Sequence, residues 1–252
     1  TLARVFHRLM LRIPSGFLSV VRANRDFYVR SGVAGERIFD GCHFVENDRF
    51  LTMASLHASR REAMRTEYGI GAKDVTLVFC GKHVPFKRPW LLIDAARILR
   101  GRGWAVTVLF AGSGDLTDDL KRRAASANVP SYFTGFLNQT ELWRAYVPAD
   151  IFVLPSDTGE TWGLVTNEAM LFGLPVAVSD EVGCGPDLVE EGTTGVRFRA
   201  DPAALADALE PLVADPALRG RMGAAGRDLV QTRYSSARAT DGLIGAVRAL
   251  CK

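Results

Sequence analysis

The sequence predicts an α/β fold with a doubly wound parallel sheet. From about residue 75 onward, short apolar segments of strand length alternate with amphipathic segments of helix length, as in parallel strands joined by crossover helices. Apolar residues make up 48% of the 252 positions, which is enough for a substantial core. Polar loops follow the candidate strands, where such sheets bind ligands. The six predicted strands are residues 75–80, 105–111, 131–135, 150–154, 175–179 and 195–198.

The first seventy residues have a different composition, rich in arginine and poor in lysine. They predict one βαβ fragment, with a strand over 17–21, a helix over 22–31 and a strand over 37–45. Such a fragment is too small to close a core, so we expect it to be the end of a preceding domain. Residues 1–12 predict an amphipathic helix that either packs within that domain, as surface helices commonly do, or lies on an anionic membrane surface.

The first crossover helix is predicted over residues 88–100. Its apolar residues recur at helical spacing, and Gly101 follows the last of these positions. A second helix is expected to begin after Asn138 and to end near Val147. Asn138 and Glu141 have the spacing of a capping box, in which each residue satisfies a free amide at the helix start.

The remaining helices are bounded by glycine and proline. A helix that starts near Gly163 is expected to stop at Gly173, because Pro175 cannot continue it. The C-terminal part of the chain is predicted to be helical in three segments: residues 202–213, 216–232 and from 236 onward.

Composition and charge exclude several classes of function. The formal net charge is +3 without a concentrated basic face, which argues against nucleic-acid binding. No run of about 18 apolar residues is present, so no membrane-spanning helix is predicted, and no secretory signal is expected. The four cysteines are far apart and lack metal-ligand spacing. We therefore expect buried thiols in a reducing cytoplasm, and no metal site.

The segment GKHVPFKRP follows the strand at residues 75–80 and contains two lysines. Gly81 permits a tight turn, and Lys82 and Lys87 can both reach over the sheet edge. Two ammonium groups on one loop suit a diphosphate, whose negative charge grows as it leaves. Alternatively, both lysines are ordinary solvated surface residues, which is the favoured reading for this segment taken alone.

The AGSGD loop at residues 111–115 has two glycines of a dinucleotide-binding fingerprint. It lacks the third glycine of that motif, and no acidic residue follows about twenty positions later. We therefore interpret this loop as a structural turn that needs a flexible backbone.

Residues 155–179 (PSDTGETWGLVTNEAMLFGLPVAVS) are the most informative segment. The helix predicted here starts just beyond the end of a strand. The unpaired amides of Gly163, Leu164 and Val165 then point into the crevice at the sheet edge, with the positive end of the helix dipole. Such a group of amides forms an anion site.

Two glutamates flank this helix start. Glu160 precedes the helix, and Glu168 lies inside it. A carboxylate accepts hydrogen bonds from hydroxyl groups, so Glu168 suits a ribose diol and Glu160 suits the hydroxyls of a second sugar. The alternative is one exposed loop carboxylate and one helix ion-pair partner, which is the favoured reading for an arbitrary pair of glutamates.

Taken together, these segments resemble the signature of retaining glycosyltransferases of the family-4 type, the glycosyl transferases group 1. Glu160 and Glu168 are separated by seven residues and followed by Ala169-Met170 and Gly173. The similarity spans about residues 45–232. Further matching pieces occur in the family's order: GKHVPFK, LFAGSGD, YFTGF, ADIFVLPS and GCGPDLVEEGTTG. The chain is thus similar to the carboxyl-terminal, nucleotide-sugar-binding half of a GT-B enzyme.

The resemblance implies a role for each matched residue. Lys82 and Lys87 would hold the donor diphosphate. Glu160, the third catalytic residue, would hold the transferred sugar, and Glu168 the ribose. The other implied donor-binding residues are Gly135, Phe136 and Leu137, whose backbone borders the base, Trp162, Gly163, Leu164 and Val165, whose amides face sugar and phosphate, and Gly81 and Thr161. The family usually has Arg in place of Lys82, and lysine keeps the charge but loses the bidentate fork.

The implied reaction is sugar transfer from a UDP-sugar or GDP-sugar to an acceptor hydroxyl, with retention of configuration and without metal or another cofactor. We expect a role in polysaccharide or glycolipid assembly. The expected partners are the nucleotide sugar and a carbohydrate or lipid-linked acceptor, with no nucleic acid. The expected location is the cytoplasm, with peripheral contact at the inner face of the membrane through a preceding domain.

The resemblance also implies two Rossmann-like units. Residues 1–44 would be the remnant of an amino-terminal acceptor domain and its linker, 45–235 the donor-binding domain, and 236–252 a C-terminal helix that packs back toward the first unit. Two alternatives stay open: a non-catalytic sugar-nucleotide-binding module and a GT-B nucleotide-sugar epimerase. A phosphorylase is disfavoured, because no lysine is a convincing partner for pyridoxal phosphate.

Overall fold

The computed structural model describes residue 6 and residues 9–251. The helix predicted within residues 1–12 lies mostly outside this range. In chain order, the strands are β1 (Phe17–Ser19), β2 (Ile38–Asp40), β3 (Val75–Cys80), β4 (Val106–Ala111), β5 (Ser131–Gly135), β6 (Ile151–Leu154), β7 (Val176–Ser179) and β8 (Gly195–Phe198). The helices are α1 (Arg22–Arg30), α2 (Asn47–His57), α3 (Arg61–Glu67), α4 (Trp90–Gly101), α5 (Thr117–Ser126), α6 (Trp143–Tyr146), α7 (Leu164–Leu171), α8 (Gly185–Leu188), α9 (Pro202–Ala214), α10 (Pro216–Arg233) and α11 (Ser236–Leu250).

Strands β3 to β8 form one parallel sheet in the order β5–β4–β3–β6–β7–β8. The chain therefore winds from β3 to one edge, then returns to β6 and winds to the other edge. This is the doubly wound order in which ligands bind beyond the carboxyl ends of the strands, where the order reverses. The predicted fold class is confirmed, and each of the six predicted strands begins within one residue of its expected position.

The central strands are buried on both faces. In β3, Leu77, Val78 and Phe79 have no exposed surface, and β4 and β6 are equally enclosed. Helix α4 covers one face with an apolar stripe that includes Leu92 and Ile93. Burial on both faces explains why these strands read in the sequence as continuous apolar runs rather than alternating patterns.

The amino-terminal unit is a two-stranded parallel sheet crossed by α1. Strand β1 pairs with β2 in the register Phe17 to Ile38, and both strands are shorter than predicted. The last bond of this pair runs from the Gly41 amide to the Ser19 carbonyl at 2.7 Å. Residues 41–45 were predicted as strand but form none, because β1 has ended and they have no strand to pair with.

Helix α11 packs against β1 and β2. Its Gly242 lies so close to β2 that a Cβ there would be 1.9 Å from the Asp40 carbonyl oxygen, so only glycine permits this approach. The C-terminal helix thus contacts the amino-terminal unit, whereas the assignment of residues 1–44 to an acceptor domain stays a prediction.

The predicted helix after Asn138 is much shorter than expected. The Asn138 side chain accepts a hydrogen bond from the Thr140 amide at 2.9 Å, and Glu141 reaches back to the Asn138 amide at 3.2 Å. Turns follow this cap, and α6 covers only four residues before Pro148. The capping interactions form as the spacing indicated, and the helix ends close to its predicted end. It is short because residues 139–142 form turns, so that helix α6 begins only at Trp143.

Two further features differ from or extend the sequence predictions. Cys80 and Cys184 are buried, whereas Cys42 is half-buried and Cys251, just after α11, is exposed, so the expectation of four buried thiols was wrong. Within the described residues, no helix combines the length and apolar character that a membrane crossing requires.

A buried ionic cluster fixes α3 to the amino end of the sheet. The Asp150 carboxylate, just before β6, accepts hydrogen bonds from Arg61 at 2.6 Å, from Arg65 at 3.1 Å and from the Thr76 amide at 2.8 Å. Arg65 is 5% exposed and also donates to three backbone carbonyls. The cluster therefore joins α3, β3 and β6 at the end of the sheet opposite the ligand-binding edge.

We expect Asp150→Ala to lower the free energy of unfolding by about 3 kcal/mol, because it leaves a buried guanidinium without its counter-charge. Urea unfolding followed by circular dichroism would measure the change. The control is Asp118→Asn on the exposed face of α5, where the side chain is 82% exposed. The control should leave the unfolding midpoint almost unchanged, and an equal effect of both variants would contradict the role of the cluster.

Candidate functional site

The candidate site lies where the strand order reverses, between the loops that follow β3 and β6. These loops are joined by a hydrogen bond from the Asp157 amide to the Phe86 carbonyl at 2.8 Å. The loop after β3 contains a short 3-10 turn, Pro85–Lys87, and the loop after β6 leads into α7. The two segments with the predicted catalytic residues therefore form one crevice.

Lys87 and Glu160 contact each other in this crevice. The Lys87 Nζ lies 2.5 Å from Glu160 Oε2, and both side chains are largely buried, 14% and 15% exposed. The Ser156 hydroxyl donates to the same carboxylate oxygen at 3.2 Å. The ammonium group also lies 5.5 Å from the centre of the Phe86 ring. The structure thus brings two of the three predicted catalytic side chains into one buried ion pair.

The start of α7 presents free amides to the crevice. Gly163 is the N-cap, with φ 89° and ψ 66°, and a Cβ there would lie 2.6 Å from a Leu154 methyl group. Glycine is therefore required by both backbone conformation and packing. The first amide bonded in this turn is that of Thr166, to the Gly163 carbonyl at 2.8 Å. Across the described residues, the amides of residues 163–165 have no acceptor, as an anion site at a helix start requires.

Arg88 connects three loops of the site. It adopts a left-handed conformation, with φ 46°, and its guanidinium forms two bonds to Glu181, at 2.8 and 3.2 Å. The same group lies 3.9 Å from Asp157. Because Arg88 is left-handed, α4 begins at Trp90 and not at residue 88 as predicted. No local pattern in the sequence points to this contact, since Glu181 follows β7, 93 residues later.

Glu168 lies in α7, where Tyr146 donates a hydrogen bond to Oε2 at 2.8 Å. Burial raises the pKa of the Glu168 carboxyl group to about 7, while the Tyr146 hydroxyl and the charge of Arg49 oppose this rise. Tyr146 is only 1% exposed, and burial raises the pKa of its hydroxyl well above the usual value. This tyrosine, which the sequence did not single out, fixes one oxygen of the predicted ribose-binding carboxylate.

A cavity of about 440 Å³ lies beside the crevice, between the loops that follow β3, β4 and β5. Its lining is mainly apolar and includes the predicted residues Gly81, Lys82, Phe136 and Leu137. Lys82 is exposed and makes no ion pair with any described residue. The two predicted lysines thus differ, because one lines this cavity and the other is paired in the crevice.

The glycines of the AGSGD loop allow it to pack against the loop after β3. A Cβ on Gly112 would lie 2.0 Å from the Gly81 carbonyl oxygen, and one on Gly114 would lie 2.6 Å from that of His83. The Gly112 amide also donates to the Gly135 carbonyl at 2.8 Å. Close backbone approach accounts for both glycines, in agreement with the interpretation as a structural turn. The same loop also lines the cavity, which the sequence did not indicate.

The remaining predicted residues differ in what they expose. The Trp162 side chain is 3% exposed, donates to Asn167 Oδ1 at 2.8 Å and packs on Tyr234. Its indole therefore belongs to the core, and the expected contact through its backbone amide stays a prediction. Thr161 is exposed, as are the side chains of Phe136 and Leu164, which are 78% and 44% exposed. Val165 is partly buried against the core.

A family model described as glycosyl transferases group 1 matches residues 60–229. The chain belongs to this family. The match covers the loop after β3, α7 and every strand of the six-stranded sheet, and it confirms the resemblance of the sequence motifs. Among the described residues of this group 1 chain, no cluster of three His, Cys, Asp or Glu side chains could hold a metal ion.

Two curated relatives of this group 1 chain are named as a glycosyltransferase and a mannosyltransferase. A D-inositol 3-phosphate glycosyltransferase of Arthrobacter sp. (strain FB24) is 37% identical over 172 residues, covering 66% of this chain and 40% of the relative. A GDP-mannose-dependent alpha-(1-6)-phosphatidylinositol monomannoside mannosyltransferase of Mycolicibacterium smegmatis is 33% identical over 214 residues, covering 80% and 54%. The chain spans about half the length of the curated relatives it matches.

Solved structures share the fold of this chain. Anabaena HepE in complex with UDP aligns with a TM-score of 0.78 and 18% identity, over 94% of this chain and 65% of that chain. The C-terminal domain of the LpcC glycosyl transferase group 1 protein from Francisella tularensis aligns with a TM-score of 0.60 and 24% identity, over 70% and 93%. At these identities the likeness concerns the fold.

We expect Glu168→Gln to stabilise this group 1 chain at neutral pH. The folded-state pKa is about 7, against 4.5 for the ordinary carboxyl group, so the folded state binds the proton more tightly. Stability of the parent should therefore fall as the pH rises from 4.5 to 7, and the neutral amide avoids this loss. Since one pKa unit corresponds to about 1.4 kcal/mol, the gain above pH 7 should be about 3 kcal/mol.

Thermal unfolding of parent and variant between pH 5 and 8 would test this expectation. The two stabilities should diverge as the pH rises. Glu62→Gln makes the same substitution on an exposed residue of α3 and should follow the parent profile. A Glu168→Gln chain that is no more stable than the parent at pH 8 would contradict the effect of burial on this carboxylate.

Proposed function

We propose that this chain is the donor-binding half of a retaining glycosyltransferase, which transfers a sugar from a UDP-sugar or GDP-sugar to an acceptor hydroxyl. The observation that carries the proposal is the meeting of Lys87 and Glu160 at the sheet edge where family members are expected to bind the donor. Two named likenesses agree with the donor class. The mycolicibacterial relative is named as GDP-mannose-dependent, and the Anabaena structure contains UDP.

The cationic groups of the crevice suit the leaving diphosphate. When the bond from the anomeric carbon breaks, the electron pair leaves with the diphosphate and the sugar carbon becomes positive. Lys87, exposed Lys82 and the free amides at the start of α7 are donors to the developing negative charge. Preorganised donors of this kind stabilise a transition state more than a ground state, because the charge is largest there.

The nucleoside is proposed to occupy the cavity beside the crevice. Its volume of about 440 Å³ and mainly apolar lining suit a base, with Phe136 and Leu137 at its border. Tyr146 fixes one oxygen of the Glu168 carboxylate. The carboxylate would accept hydrogen bonds from the ribose hydroxyls. Glu160 would accept hydroxyls of the transferred sugar.

The wider setting is part of the same proposal. A carbohydrate or lipid-linked acceptor would bind to a domain that precedes the donor half, in polysaccharide or glycolipid assembly. Cytoplasmic location with peripheral membrane contact and catalysis without a metal follow from the family resemblance of the motifs.

Nucleotide binding by this chain is the first test. UDP, GDP and ADP, and one sugar derivative of each, should be compared in a thermal-shift panel. A ligand at one hundred times its Kd adds about 2.7 kcal/mol to the free energy of unfolding, which gives a clear shift. We expect UDP or GDP with its sugar derivative to stabilise the chain and ADP not to do so. If no nucleotide raises the unfolding temperature, the proposed function is wrong.

The role of Lys87 is tested in an enzyme that contains both halves. Lys87→Ala should lower the transfer rate by about 10² to 10³, as removal of one preorganised donor does in other enzymes. The control is Lys73→Ala, which removes the same charge from an exposed residue before β3, at the opposite edge of the sheet. Rates and unfolding temperatures should be measured for both variants. A folded Lys87→Ala enzyme with a rate within twofold of the parent would contradict the role.

A further inference from the structure

The ion pair between Lys87 and Glu160 has a consequence for ligand choice. Among the described residues, Lys87 forms an ion pair with Glu160 and with no other side chain, so Glu160 neutralises its charge. A ligand phosphate that binds the Lys87 ammonium must therefore displace the carboxylate or share the ammonium with it at close range. Both side chains are largely buried, which makes the loss of either partner costly.

We infer that Glu160 makes the site select the intact sugar nucleotide over the nucleoside diphosphate that remains after transfer. This inference rests on the proposed function. Glu160 would act as a specificity-determining residue, through competition with the terminal phosphate for Lys87.

The two ligands offer Glu160 different partners when Lys87 binds the phosphate. The sugar nucleotide brings hydroxyl groups that can donate to the carboxylate, so Glu160 exchanges one partner for another. The nucleoside diphosphate lacks the transferred sugar and so brings no hydroxyl group to Glu160, and its terminal phosphate carries additional negative charge. Glu160 would then be a largely buried carboxylate beside a phosphate, with only the Ser156 hydroxyl as a donor. Repulsion of this kind discriminates against the wrong ligand.

Glu160 cannot easily move away to relieve this repulsion. Its amide donates to the Asp157 carbonyl at 3.0 Å, and its carbonyl accepts from the Gly183 amide at 3.0 Å. A Cβ on Gly183 would lie 1.9 Å from the Thr161 carbonyl oxygen, so the loop after β7 packs directly against this segment. The backbone of Glu160 is thus held from both sides.

The nearby cation Arg88 is already paired. Its two bonds to Glu181 and its approach to Asp157 engage the Arg88 guanidinium with other carboxylates, so Arg88 does not replace Lys87 as the partner of Glu160. Competition for Lys87 therefore follows from the fixed arrangement of charges around the crevice.

The first test needs only the parent chain. Isothermal titration with UMP, UDP and UDP-glucose, and with GMP, GDP and GDP-mannose, would give three affinities for each base. Addition of the terminal phosphate to the monophosphate should improve the Kd by less than about tenfold, because the phosphate must displace a charged competitor. Addition of the sugar should then lower the Kd below that of the diphosphate. A diphosphate that binds about 100-fold or more tightly than its monophosphate, and more tightly than the sugar nucleotide, would overturn the inference.

The second test is Glu160→Gln, which keeps the shape of the side chain and removes its charge. This variant should bind UDP or GDP about tenfold more tightly than the parent, and it should bind the monophosphate with unchanged affinity. The preference for the sugar nucleotide should be reduced or lost. Monophosphate binding also reports that the variant is folded.

The matched control is Asp180→Asn, which removes one negative charge from an exposed residue of the neighbouring loop after β7. It should leave the diphosphate Kd within about twofold of the parent, because screened surface charges interact weakly. Equal tightening in both variants would indicate a general field effect and overturn the inference. A parent that binds no nucleotide would contradict the proposed function instead. A parent that binds nucleotides, with no tightening in Glu160→Gln, would contradict this inference alone.

Discussion

The reversal of strand order beside β3 is the constraint on which the candidate site depends. Because β4 and β7 lie on opposite sides of the β3–β6 pair, the loops that follow β3 and β6 diverge above the sheet and leave a crevice between them. Lys87 and Glu160, 73 residues apart in the chain, meet there at 2.5 Å. No local structure could bring these two side chains together. The Asp150 cluster holds the same two strands at their other end, so the crevice stands on a rigid base.

The two ends of the sheet differ in how well their buried polar groups are compensated. At the amino end, Asp150 accepts bonds from two arginines and an amide, so its charge is well compensated. At the carboxyl end, burial raises the pKa of Glu168 to about 7, and the amides at the start of α7 have no acceptor among the described residues. Unsatisfied polar groups lower stability, but they are what a polar ligand can satisfy. Polar groups without partners therefore lie at the carboxyl end of the sheet, where a ligand is expected, and not around Asp150 at the amino end.

The sequence predicted the sheet well because burial on both faces leaves a strong signal. The runs that became β3, β4 and β6 are almost entirely apolar, and their boundaries were correct to within one residue. Features decided by distant partners were less predictable. Residues 41–45 have strand-like composition but no strand beside them. The segment after Asn138 is capped as expected, yet it becomes helical only at Trp143.

For the candidate site, spacing and family motifs predicted the residues but not their contacts. Lys87 and Glu160 were each assigned to a ligand, and their mutual ion pair has no signature in the chain. The contacts of Glu168 with Tyr146 and of Arg88 with Glu181 likewise depend on the tertiary fold.

Lys82 and Lys87 are the same residue type on one loop, but the fold gives them different surroundings. Lys87 is buried and held in a fixed pair, whereas Lys82 is exposed beside the cavity on a flexible stem. A fixed ammonium favours one geometry of the phosphate, and a mobile one can follow it as it departs. One loop thereby supplies both kinds of cation, and the family's usual arginine at the position of Lys82 would supply a fork in place of a mobile point charge.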